Sequence, residues 1–327
     1  MTNPTDTFRR MEAFTVGNRL LTPGMTTTQA QEDRNNSLTS GHRACRGCGE
    51  ALAARWAIDA ALRAAGGQIV IANATGCLEV FSTPYPESAW RIPWIHSVFG
   101  NTPAVATGLA AAMKVKGKTG IRVIAQGGDG GTTDIGLGCL SGMFERNDDV
   151  LYICYDNEAY MNTGVQRSSA TPPMARTATT PTLGSSRGSS PDIGKSVPLI
   201  AMAHQIPFVA TASVAHLADL ETKISRAVAI RGARYVHIHS PCPLGWGTES
   251  NQTILVARLA VQSGLFPLFE AKDGVIAETT TIGPRVPVED YLRIQKRFRH
   301  LFHPQRNDEA LATYQAIADN NIRRFGL

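Results

Sequence analysis

The apolar and polar positions divide the chain into stretches of different character. Residues 1–40 are polar, rich in Thr and Asn, and show no sustained period, which predicts an arm that is disordered alone or packs on another subunit. From residue 50 the pattern changes. "EALAARWAIDAALRAAGG" reads as a helix stopped by Gly66-Gly67, "QIVIANATG" as a short apolar strand ending in a Gly turn, and "PAVATGLAAAMKVKG" as a helix with Pro at its start. "IRVIAQ" predicts a strand that runs straight into "GGDGGTTD". "IGLGCLSGMFERN" predicts a helix and "VLYICYDN" a strand. A helix near 196–204, the strand "PFVATAS", the helix "LADLETKISRAVAIRG" and the strand "RYVHIHSPCP" follow. Beyond residue 250 come the helix "TILVARLAVQSG", a hairpin turning at Asp273-Gly274, and polar helices near 287–299 and 307–323.

Short apolar strands alternating with helices predict an α/β fold: a parallel sheet covered by helices on both faces. The arm at 1–40, an α/β domain over 41–250 and a hairpin-and-helix extension over 251–327 are the expected divisions. Ligands of such sheets sit at the carboxyl ends of the strands. Four of those ends carry unusual chemistry here: "NATGC", "GGDGG", "YDNEAYMNTG" and "HSPCP". Residues 168–198, dense in Ser, Thr, Pro and Gly, predict a long loop of the kind that serves as a lid or partner contact. Its cations Arg167, Arg176, Arg187 and Lys195 are expected to be solvated, with phosphate or partner contact as the alternative.

Composition narrows the class of function. The chain has 327 residues, 43% hydrophobic and 18% charged, enough for a substantial core. The net charge of +5 comes without a Lys/Arg run or a basic helix interleaved with aromatics, so no nucleic-acid partner is expected. No apolar run reaches the ~18 residues of a spanning helix, and the N-terminus lacks the apolar core of a secretory signal. A cytoplasmic protein without a membrane partner is expected. Six cysteines in that compartment are free thiols or metal ligands rather than disulfides.

"QGGDGG" ends a strand and opens a helix, so its backbone amides can cradle an anion. It is neither G-x-G-x-x-G nor a P-loop, and it contains an acid. An acid beside a phosphate cradle suits a bridging Mg²⁺, which is held by one or two protein oxygens plus substrate phosphates. Asn157, at the next strand end after the intervening residues 131–156, is the natural second ligand to pair with Asp129. The simpler alternative is a tight turn with Asp129 capping the helix. Cys45 and Cys48 form a C-x-x-C pair, which by itself is a zinc half-site, a redox dithiol or half of an iron–sulfur ligand set.

The G-D-G…Asn spacing resembles the thiamine-diphosphate signature. The longer text "GDGGTTDIGLGCLSGMFERNDDVLYICYDNEAYMNTGVQRSSATP", with "NATGC", "PWIHSVFGNTPAVATGLAAA", "PLIAMAHQIPFVATAS" and "PCPLGWG", resembles the 2-oxoacid:ferredoxin oxidoreductases over about residues 38–302. It is most similar to beta subunits of the pyruvate type. The resemblance implies that Asp129 and Asn157 ligate Mg²⁺ through their side chains and Ala159 through its carbonyl. It implies that the Gly128, Asp129, Gly130 and Gly131 amides hold the diphosphate, and that Asn162 reaches the reacting carbon. It further implies one [4Fe–4S] cluster on Cys45, Cys48, Cys77 and Cys242, with four-Cys zinc as the chemical alternative. Cys139 and Cys154, inside a helix and a strand, are expected to pack as small hydrophobes.

The implied reaction is oxidative decarboxylation of pyruvate to acetyl-CoA and CO₂, with coenzyme A as co-substrate and single electrons leaving through the cluster to ferredoxin or flavodoxin. The same chemistry on 2-oxoglutarate, a branched-chain oxoacid or oxalate is the close alternative, and a zinc-stabilised noncatalytic subunit the distant one. One sheet uses residues 50–245, so the pyrimidine-binding domain and its activating Glu are expected on an alpha subunit. With no second Cys set, a ferredoxin-like subunit or domain should carry electrons onward. His96 and Asn101 are candidates to line the cleft or to satisfy local backbone. His237 and His239 share one strand face as structural histidines, and Glu79 either tunes the cluster or faces solvent.

Overall fold

The computed structural model describes residues 36–39, 41–84, 87–182, 188–189, 194–281 and 283–327. The arm expected at 1–40 and Arg187 therefore lie outside the described residues, apart from 36–39. The elements run in the order α1 (Gly49–Ala64), β1 (Ile69–Ala74), α2 (Cys77–Ser82), β2 (Trp94–Ser97), α3 (Thr102–Val115) and β3 (Arg122–Gly128). A π-helical turn (Gly130–Ile135), α4 (Leu137–Glu145), β4 (Val150–Asp156), α5 (Val197–Ala203), β5 (Phe208–Ser213), α6 (Leu217–Ala229) and β6 (Arg234–His239) continue the chain. The last third holds α7 (Pro243–Trp246), α8 (Thr253–Gln262), β7 (Phe269–Lys272), β8 (Val275–Thr279), α9 (Val288–Arg293), a 3₁₀ helix (Lys296–Leu301) and α10 (Asp308–Phe325).

The eight strands form one sheet in the order β2-β1-β3-β4-β6-β5-β7-β8. Its first six strands are parallel, and β7 and β8 add as an antiparallel hairpin beside β5. The hairpin turns at Asp273-Gly274, both at positive φ, as its sequence predicts. Every residue of β4, β5 and β6 is buried, which is why these strands read as near-continuous apolar runs.

Side chains alternate between two cores. Leu151, Ile153 and Tyr155 of β4 face the layer of α1 and α6, while Val150, Tyr152 and Cys154 face the layer that includes Leu140, Met143 and Phe144 of α4. The buried face of α1 is mainly alanine, which lets the helix lie close to the sheet and to α6. A third core joins Trp246, Val256, Tyr291, Phe298 and Tyr314 beneath α8, α9, the 3₁₀ helix and α10.

Three elements depart from the sequence reading. β2 has four residues with Ile95 and His96 exposed, and α2 has six, so neither carries a readable period. The helix expected over 287–299 breaks, because Gln295 is extended at φ −107°, ψ 121°. Gln295 Nε2 donates to the Tyr291 carbonyl and its Oε1 accepts from Arg297 Nε at 2.9 Å. The break turns Arg297 inward, where it pairs with Glu158 and lies 3.9 Å over the Trp246 ring.

Removing one partner of a buried pair leaves an uncompensated charge, at a cost of about 3–5 kcal/mol. Arg297→Met should therefore lower the thermal midpoint by several degrees, and Glu158→Gln/Arg297→Met by clearly less. Equal losses in a thermal melt would show that the pair carries no such coupling.

Candidate active site

The site gathers at the carboxyl edge of the sheet. Asp129 leaves β3 at φ −61°, ψ −43°, and leads directly into the π turn without making a side-chain cap bond. Capping is thus not its role. Asp129 is 1% exposed; its Oδ2 accepts from Ser168 Oγ, and its Oδ1 has no partner. Burial, with the Asp156 and Glu50 carboxylates nearby, pushes the Asp129 carboxyl well above the usual range.

The loop after β4 faces it. Asn157 is buried; its Nδ2 donates to Glu50 Oε2 at 2.9 Å, and its Oδ1 is unpartnered. Trp246 Nε1 donates to the Asn157 carbonyl at 2.9 Å. Glu158 takes a positive φ of 65°, and its carbonyl accepts from Thr171 Oγ1 at 2.7 Å. The buried Ala159 accepts at its carbonyl from Met161 N at 2.9 Å, which uses one of two lone pairs. Asp129 Oδ1 and Asn157 Oδ1 are buried oxygens without donors, the chemistry a hard cation with phosphate ligands satisfies. The residues fit Mg²⁺.

The π turn is braced from outside. Tyr160 OH donates to the Gly130 carbonyl at 3.3 Å and to Asp134 at 3.1 Å, and its ring stacks on Phe99. Lys195 Nζ donates to the Thr133 carbonyl at 3.0 Å and pairs with Asp134 at 3.2 Å. This loop cation is exposed, as expected, but also tied to the turn. Arg167 Nε likewise donates to Ser189 Oγ at 3.1 Å.

The four cysteines reach one place from two strand ends and the segment that opens α1. Cys48 begins α1, its Sγ accepting from Ala51 N at 3.4 Å; Cys77 opens α2 after β1. Cys242 follows β6, its Sγ accepting from Gly245 N at 3.4 Å. Gly49 N bonds the Pro241 carbonyl, and a Cβ at Gly49 would lie 2.6 Å from that oxygen, so only glycine lets the two cysteine segments meet. Cys45, Cys48, Cys77 and Cys242 line one cavity of about 80 Å³ together with Glu50, Asn157 and Asn162.

Burial and the Glu50 carboxylate push the Cys48 thiol up to about 12, and the same causes raise Cys77. Burial raises Cys242. Thiols so placed ionise only when a positively charged group binds them. No three His, Cys, Asp or Glu side chains among the described residues converge closely enough for a single metal ion. Cys139, half-buried in α4, and Cys154, buried in β4, line no part of this cavity.

Sequence reading missed Glu50, which is 2% exposed and raised to about 7 by burial. An acid in a helix's first turn looks like a dipole-favouring surface residue, and only its contact with Asn157 reveals it. Ser168 and Trp246 lie in stretches that carry the resemblance, but neither was given a role. His96 Nε2 meets Thr75 Oγ1 at 2.8 Å, and Asn101 makes no cap bond. His237 Nε2 pairs with Asp156 at 2.8 Å and its Nδ1 meets Tyr235 OH; His239 lies 3.6 Å from Glu158. Glu79 accepts from Thr83 Oγ1 at 3.0 Å.

Residues 74–238 match the family described as thiamine pyrophosphate enzyme, C-terminal TPP binding domain. Pyruvate synthase subunit PorB of Methanosarcina barkeri is 49% identical over 89% of this chain and 97% of its own, and that of Methanocaldococcus jannaschii 46% over 91% and 99%. The chain belongs to the PorB family of pyruvate synthase subunits. Ketoisovalerate oxidoreductase subunit VorB of Pyrococcus abyssi is 43% identical over 80% of the chain and 85% of its own. A solved 2-oxoglutarate:ferredoxin oxidoreductase from Magnetococcus marinus shares the fold, with a TM-score of 0.56 at 21% identity over 86% of this chain and 96% of that one.

In a thiamine-diphosphate site, packing under the π turn becomes a binding term. A Cβ at Gly130 would lie 2.5 Å from the Tyr160 ring. Gly130→Ala should displace that ring and weaken thiamine-diphosphate binding at least ~10-fold, as loss of support around a metal site does. Unchanged affinity by calorimetric titration would show that the turn tolerates the shift.

Proposed function

We propose that this chain is the catalytic beta subunit of a pyruvate:ferredoxin oxidoreductase, and that Asp129, Asn157 and the Ala159 carbonyl hold the Mg²⁺ of its thiamine diphosphate. The Gly128–Gly131 amides take the diphosphate, Asn162 faces the reacting centre, and Cys45, Cys48, Cys77 and Cys242 ligate a [4Fe–4S] cluster. The carrying observation is the cavity that all four cysteines share with Asn157 and Asn162. Thiamine diphosphate, when bound, supplies carbanion chemistry at a 2-oxoacid's keto carbon, and a cluster held by the four cysteines would supply a one-electron acceptor beside it. Coenzyme A accepts the acyl group, giving acetyl-CoA.

A four-iron cluster is the reading we adopt for these thiols, with four-Cys zinc as the chemical alternative. The four cysteines line one cavity beside Asn157 and Asn162, where a cluster would lie next to the cofactor.

The relatives' names as subunits support a multisubunit enzyme. An alpha subunit supplies the pyrimidine-binding domain and activating Glu, and a ferredoxin-like subunit carries electrons to external ferredoxin or flavodoxin. Ile95, Val98 and Ile135 are 42%, 71% and 63% exposed around the cofactor end of the sheet, as a face covered by a partner would be. Pyruvate is favoured by the names of the relatives at 46–49% identity; the 43% identity to a ketoisovalerate subunit keeps a branched-chain oxoacid as the second reading.

Anaerobically purified complex should carry iron and acid-labile sulfide at about four each per copy of this chain, beyond what a ferredoxin-like subunit accounts for, with broad absorption near 400 nm. Zinc at one per chain would defeat the cluster assignment. Asp129→Ala should weaken thiamine-diphosphate binding by more than the ~100-fold lost with a residue that only supports a metal ligand; normal affinity would defeat the Mg²⁺ assignment. Viologen reduction should prefer pyruvate to 2-oxoisovalerate at least ~10-fold in kcat/KM, a gap of about 1.4 kcal/mol, and the reverse order would assign the branched-chain reaction.

A further inference from the structure

We infer that Glu50 is a positioning residue, whose carboxylate holds the Asn157 amide in the orientation that turns its oxygen toward the metal. The inference rests on the Mg²⁺–thiamine-diphosphate reading above. An amide's oxygen and nitrogen ends have nearly the same shape, but only the oxygen can ligate Mg²⁺. For a buried amide, the orientation follows from what meets the other end.

That end meets Glu50. Asn157 Nδ2 donates to Glu50 Oε2 at 2.9 Å, and both residues are buried. A flipped amide would set Asn157 Oδ1 against a carboxylate oxygen and aim two N–H donors at the cation. Both contacts are repulsive, so Glu50 excludes the wrong rotamer as well as favouring the right one. The unpartnered state of Asn157 Oδ1 is what such an arrangement leaves ready for a cation.

The main chain at this position is fixed separately. Trp246 Nε1 bonds the Asn157 carbonyl, so the backbone stays in place whichever way the amide points. Glu50 itself cannot drift: Gly49 N is bonded to the Pro241 carbonyl, and Cys48 Sγ accepts the amide of Ala51. The segment that fixes Cys48 therefore also fixes the residue that aims the metal ligand. Outer partners of this kind typically change metal affinity 10–100-fold when removed.

The test uses the assembled complex. Glu50→Ala should weaken Mg²⁺-dependent thiamine-diphosphate binding ~10–100-fold, whereas Glu50→Gln, whose Oε1 still accepts but whose Nε2 can also pair with a flipped amide, should fall between Glu50→Ala and wild type. With Mn²⁺ in place of Mg²⁺, spin-echo spectra in deuterated water should count one more bound water in Glu50→Ala, where Asn157 no longer ligates. In a double-mutant cycle, Glu50→Ala should cost little once Asn157→Ala is present. Additive losses, or an unchanged water count, would overturn the inference. If Glu50→Ala does not assemble, Glu50→Met against Glu50→Gln makes the same comparison with the volume kept. Wild-type affinity in Glu50→Ala beside a dead Asp129→Ala defeats the Glu50 inference alone, whereas normal binding by Asp129→Ala defeats the metal reading beneath it.

Discussion

Three oxygens without partners, Asp129 Oδ1, Asn157 Oδ1 and Glu50 Oε1, are buried together at the carboxyl edge of the sheet. Each unpaired acceptor costs about 1–3 kcal/mol, more where it carries charge. A chain does not fall into such an arrangement by default; it has to be held there. Much of the architecture around the site does that holding.

Each bearing segment is braced by a different part of the chain. Ser168 fixes one oxygen of Asp129, Thr171 fixes the strained Glu158 carbonyl, and Lys195 and Tyr160 pin the π turn. From the far side the third core brings Trp246 and Arg297, one bonding the Asn157 carbonyl and the other pairing with Glu158. Burial alone would raise the Glu158 carboxyl, but Arg297 and His239 outweigh it and hold it below the usual range. The C-terminal helices thus act on the loop that carries Asn157 and Glu158. A buried ion pair adds little net stability, but it fixes a geometry that apolar packing would leave loose.

The sequence made legible what repeats or what is written locally. Apolar runs in β3, β4, β5 and β6 announced buried parallel strands, and G-D-G at the end of β3 with C-x-x-C ahead of α1 announced the site. Distant contacts were not legible. Glu50 looks like an ordinary first-turn acid because its meaning lies 107 residues away, at Asn157. The break at Gln295 is invisible in a polar helical stretch, because the contacts that go with it, Arg297 with Glu158 and Trp246, lie far away in sequence. β2 and α2 were too short for any period, and the contact of the exposed Lys195 with the π turn spans 62 residues.

The adjacency of Cys48 and Glu50 gives the two sites a shared mechanical origin. Gly49 between them must lack a Cβ for α1 to approach Pro241, and that approach sets both the thiol beside Cys242 and the carboxylate beside Asn157. The two are therefore not independent sites that happen to lie close. They are opposite sides of one helix start, and a displacement of that start by a fraction of an ångström moves a cysteine and an aiming carboxylate together. If the proposed cluster and cofactor exchange electrons, their separation has to be held constant, and a single rigid helix terminus holds it with fewer parts than two separately anchored loops.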